Sequence, residues 1–66
     1  MKREMIEKFE ELRKDALKKF YKDTDLALQK PEETYHGPRA SYYIGLAEAY
    51  ANAISVLEGN EPLPSL

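Results

Sequence analysis

Between residues 3 and 29, apolar positions recur at Met5/Ile6, Phe9, Leu12, Ala16/Leu17, Phe20, Thr24 and Ala27/Leu28. That three-and-four spacing lays them along one side of a helix. Glu4, Glu7, Glu10 and Glu11 crowd the early turns, and Lys14, Lys18, Lys19 and Lys22 the later ones, an order that complements the helix dipole. Glu4 with Lys8 and Glu10 with Lys14 stand in the favourable i, i+4 order, at about 0.2–0.5 kcal/mol per pair. Asp23-Thr24-Asp25 is the weak point, because these side chains compete for their own backbone and would kink or end a helix there. Leu26 and Leu28 beyond them point to continuation, and Pro31 stops the helix by disfavouring helical backbone at Lys30.

Residues 30–38 read as a connection. Pro31-Glu32-Glu33 suits a single helical turn, and Gly37-Pro38 ends whatever begins there. A second helix is predicted over 39–58, with Gly59-Asn60 as its C-cap. Pro62 and Pro64 keep the tail, 59–66, extended, with Leu63 and Leu66 either docked on the helices or free. Two helices joined by so short a connection are antiparallel neighbours.

The second helix is apolar on almost every side. Only Ser41, Gly45, Glu48, Asn52 and Ser55 interrupt it, and they fall on one narrow line. Two apolar stripes can be drawn beside that line. Tyr43, Ala47, Tyr50, Ile54 and Leu57 make one; Tyr42, Leu46, Ala49, Ala53 and Val56 make the other, about 100° away around the helix. The first helix has one main stripe and covers one of these. The other is surplus apolar surface of the kind that marks an interface. Gly45 and the alanines would let helix backbones approach closely, and the tyrosines can bury a ring while keeping the hydroxyl wet or bonded. The expected fold is therefore all-α: an antiparallel two-helix hairpin, one domain, dimerising into a four-helix bundle. Its oligomer interface is read as Tyr43, Leu46, Ala49, Tyr50, Ala53, Val56 and Leu57.

Size strengthens that expectation. Sixty-six residues without cysteine bury too little surface to stand easily alone, and no disulfide is available to help. Charge adds a second hint. The net charge is −2, but residues 1–30 hold nine Lys/Arg against seven Asp/Glu, whereas 31–66 hold Arg39 against five acids. Halves of opposite sign favour folding one over the other, or pairing antiparallel with a second copy. A net acidic chain carries no footprint for nucleic acid. Lys14, Lys18 and Lys22, with Lys19 beside them, read as a solvated face because acids flank them. The charged start of the chain is no signal peptide, and Glu48 and Asn52 argue against a membrane span over 40–57. The expected compartment is the cytoplasm.

Candidate chemistry is sparse. The single His, the lack of cysteine and the absence of a Gly-x-Ser-x-Gly elbow leave no nucleophilic machinery, so no enzyme and no cofactor are expected. Glu33-x-x-His36 has the spacing of carboxylate-bridged di-metal sites in helical bundles. With Glu7, Glu10 or Glu48 from facing helices it forms the alternative reading, a di-iron-like metal site, against a solvated loop with a surface histidine. Glu48 sets register if a symmetry mate covers it; we read it as facing water. His36-Gly37-Pro38-Arg39 could cap an anion at the start of the second helix. The preferred reading is a small non-enzymatic interaction module, an accessory or regulatory protein such as an inhibitor or adaptor. It would pair with itself and bind a larger protein through Tyr35, His36, Arg39, Tyr42 and Tyr43.

Overall fold

A computed structural model describes residues 1–59. Helix α1 spans Lys2–Gln29 and helix α2 spans His36–Leu57, with no strand among the described residues. The predicted tail lies, from residue 60 onward, outside them.

α1 runs unbroken through Asp23-Thr24-Asp25. The Thr24 hydroxyl donates to the Phe20 carbonyl at 2.8 Å, so it is satisfied inside the helix instead of competing with it. Lys30 leaves the helical region, with φ −129° and ψ 66°, because Pro31 disfavours helical backbone at the residue before it. The predicted single helical turn in the connection is instead a β-turn with Pro31-Glu32 at its tip. The Glu33 N–H donates to the Lys30 carbonyl at 3.0 Å, and proline suits the second position of such a turn.

α2 starts three residues before the predicted Arg39, and Gly37-Pro38 lies inside it. The N–H groups of a first turn have no intrahelical acceptor, so Pro38 sacrifices no hydrogen bond there, and its fixed φ suits the helix. At the other end Gly59 takes φ +85°, and its N–H donates to the Val56 carbonyl at 3.0 Å. Left-handed backbone at that point is the reason for a glycine.

The helices are antiparallel. The Phe9 ring lies 6.0 Å from the Tyr50 ring near one end, and Asp23 meets His36 near the other. These pairs are separated by two heptads on both helices, so one register holds along the hairpin. The seam between the helices is lined by Ala16, Ala40 and Ala47, the only buried apolar residues described. Tyr43, Tyr50, Ile54 and Leu57 are half-buried beside Ala47, so α1 covers the first of the two stripes. No large side chain among the described residues is fully buried. The hairpin measures 45 × 24 × 11 Å, a layer little thicker than one helix. A single layer has no second layer against which to close a core. No described helix is long and apolar enough to cross a membrane.

Candidate functional site

The loop end of the hairpin gathers its polar chemistry. His36, the first residue of α2, and Asp23 of α1 are both only 4% exposed. His36 Nδ1 lies 3.7 Å from Asp23 Oδ1, and His36 Nε2 lies 3.5 Å from Glu33 Oε1. Neither ring nitrogen has a hydrogen-bond partner, and both contacts are longer than such a bond requires. The second Asp23 oxygen faces Arg39 Nε at 3.8 Å. Tyr35 packs against His36 with ring centroids 4.2 Å apart and the rings tilted by 46°, and it donates its hydroxyl to Glu33 Oε1 at 2.8 Å. That bond holds the Glu33 carboxyl below its ordinary range, with help from Lys30 and His36. The same bond raises the Tyr35 phenol above its ordinary value.

The surface histidine expected of a solvated loop is thus corrected: His36 is buried, because α2 begins early enough to bring it onto the seam. A di-metal site is not assembled among the described residues of one chain either. Asp23 and Glu33 approach opposite nitrogens of one imidazole, so a single ion cannot take both carboxylates together with the ring. No group of three potential ligands suited to a metal occurs among the described residues. Glu7, Glu10 and Glu48 are exposed.

The residues read as partner-binding divide in two. His36 is interior. Tyr35 is 50% exposed and Tyr42 62%; Arg39 is also exposed, and Tyr43 is half-buried. Tyr42 and Tyr43 meet edge to face with centroids 5.3 Å apart. Lys19 sits over the Tyr43 ring at 5.5 Å and pairs with Asp15 at 3.0 Å, which raises its ammonium above the ordinary lysine value. On α1 this pair forms, and the expected Glu4–Lys8 and Glu10–Lys14 pairs do not; exposed pairs of this kind are worth little either way.

The second stripe of α2 stays open to solvent. Val56 is 55% exposed, Ala49 is exposed, and Leu46 and Ala53 are partly covered. On the same side of the hairpin two depressions of about 360 and 340 Å³ share Lys19 and Tyr43. The first is lined further by Lys22, Leu26, Tyr35 and Arg39, the second by Leu12, Tyr42, Leu46 and Tyr50. The lysine stripe is therefore split. Lys19 and Lys22 line this face, and Lys14 lines a different depression with Arg13 and Ile54. Glu48 is exposed.

Asp23 is the site residue that sequence reasoning missed, having been read only as a helix-breaking risk. Its signal was present: Phe9, Ala16 and Asp23 are spaced by sevens, so the position that buries Ala16 recurs at Asp23. Compared with known proteins, the chain matches no family model, no curated protein and no solved structure.

Proposed function

We propose that the chain is a non-enzymatic interaction module, an accessory or regulatory protein that pairs with a second copy as a four-helix bundle and binds a larger protein. One observation carries the pairing. A hairpin one layer thick, whose only buried apolar residues among those described are alanines, leaves Tyr42 and Val56 of the second stripe exposed and Leu46 only partly covered. Fully burying one Leu or Val contributes about 1.5–3 kcal/mol, a large share of the 5–15 kcal/mol that stabilises an ordinary domain. Binding to a larger protein is supported by the exposed Tyr35 at the loop end, since aromatic side chains are favoured anchors at interfaces.

Leu46→Glu tests the pairing. The substitution puts a charge in the centre of the stripe, and the bundle should dissociate and lose its helical circular dichroism together, because interface and core are one. A variant that stays helical and sediments as a folded monomer would show that the hairpin needs no partner.

A further inference from the structure

The one histidine of the chain is almost wholly buried, with neither ring nitrogen hydrogen-bonded. Buried polar atoms normally find partners, so such an orphan needs a physical reason. Both nitrogens face carboxylates: Nδ1 faces Asp23 Oδ1 at 3.7 Å, and Nε2 faces Glu33 Oε1 at 3.5 Å. An ionised carboxylate only accepts, and a neutral imidazole donates from one nitrogen and holds a lone pair on the other. Whichever tautomer forms, that lone pair points at a carboxylate oxygen. The imidazolium donates from both nitrogens and meets an acceptor at each. Each gap is only about 0.3–0.5 Å beyond an ordinary N–H···O bond.

Other groups oppose the charge. Burial disfavours it. Arg39 of α2 reaches the second Asp23 oxygen at 3.8 Å, Lys30 reaches the second Glu33 oxygen at 3.8 Å, and Lys19 and Lys22 of α1 line the same depression with Tyr35 and Tyr43. Arg39 and Lys30 are exposed, however, and water and salt screen them. The ring lies between its two carboxylates, one of them buried, where screening is weakest. The two acids therefore outweigh the cations at its rim.

We infer that His36 is a proton-operated latch of the hairpin. As the imidazolium it ties Asp23 of α1 to Glu33 of the connection across the start of α2. Loss of the proton turns a lone pair onto one of those carboxylates and loosens the loop end. Closing takes one proton from solvent, and opening returns it. Tyr35 packs against the ring and bonds to Glu33, so the proton also sets how firmly this exposed aromatic is held. The latch depends neither on self-pairing nor on what the chain binds. Its stabilisation is complete below the ordinary imidazole value of about 6.5 and is lost as pH rises. Glu33 is held below its ordinary range and Tyr35 above its own, so neither changes charge near neutrality.

The test uses the full chain, in which a single histidine gives a single set of imidazole signals. Nitrogen-15 NMR at about pH 7.5, roughly one unit above the ordinary imidazole value, should find both ring nitrogens protonated. Urea titration at one protein concentration should give a folding equilibrium constant several-fold larger at about pH 6 than at about pH 8. His36→Gln should remove that dependence. Glu33→Gln, at a partly exposed position, should lower the imidazolium fraction. A neutral ring in the wild type overturns the proposal, as does equal stability at the two pH values or a dependence that survives His36→Gln. The ring signals are read on the wild type, so they decide the matter even if His36→Gln fails to fold.

Discussion

At the scale of single residues, the loop end is held by a buried polar cluster in a molecule that has little apolar core. Asp23 accepts from no hydrogen-bond donor at ideal distance, yet it is nine-tenths buried and lies between His36 and Arg39. Removing the carboxylate takes away the one buried acid that faces the His36 ring, so Asp23→Ala should lower stability by about 1–3 kcal/mol. Urea titration measures this, and a midpoint equal to that of the wild type would show that the cluster does not hold the hairpin closed. The Tyr35–Glu33 bond has a separate signature. Because the folded carboxyl of Glu33 is lowered, its contribution is complete above the ordinary glutamate value of about 4.3 and is lost as pH falls through the lowered one. Tyr35 is raised, so its contribution is complete below about 10 and is lost as pH rises through the raised value. A carboxyl NMR titration should place Glu33 below about 4.3, and Tyr35→Phe should move it upward; an unmoved Glu33 would mean the bond is absent in solution. The cluster was only partly legible beforehand. Glu33, His36 and Arg39 were singled out by type and spacing. Asp23 was passed over because an acid beside Thr and Asp resembles a helix end when local backbone competition is weighed without its heptad position.

At the scale of elements, the helices and their antiparallel order were legible because the three-and-four periodicity is strong and Pro31 stops the first helix. The start of α2 was not. Gly37-Pro38 was weighed as a terminator, whereas proline is compatible with a first turn. The stripe of Tyr43, Ala47, Tyr50, Ile54 and Leu57, extended backward by the same spacing, falls on Ala40 and His36, both of which are buried. The periodicity thus held the correct boundary, and local turn chemistry obscured it. Gly45 offers a test at this scale. It is exposed mid-helix, and a Cβ placed on it meets nothing within 4 Å. If the polar line of α2 faces water in the oligomer, Gly45→Ala should raise stability by about 0.5–1 kcal/mol through lost unfolded-state freedom and leave the sedimentation coefficient unchanged. Loss of stability or of assembly would place a close helix contact at Gly45 and move the interface onto the Glu48 line.

At the scale of the whole molecule, α1 and α2 together form a layer with one alanine-lined seam and an uncovered stripe on α2. Covering that stripe with another layer gives the arrangement in which domains normally close a core, and a second copy supplies it without any further sequence. The shortage of cover was legible from the residues alone, because α2 carries two stripes and α1 covers one. What lies on the second stripe was not legible, because it depends on a surface beyond the chain. Sedimentation equilibrium of the wild-type chain across the micromolar range is the most direct measurement. A self-paired chain gives a mass of twice the 7.6 kDa chain or a higher multiple, with helicity lost on dilution as the assembly dissociates. A helical, cooperatively unfolding species at the mass of one chain throughout that range would contradict self-pairing.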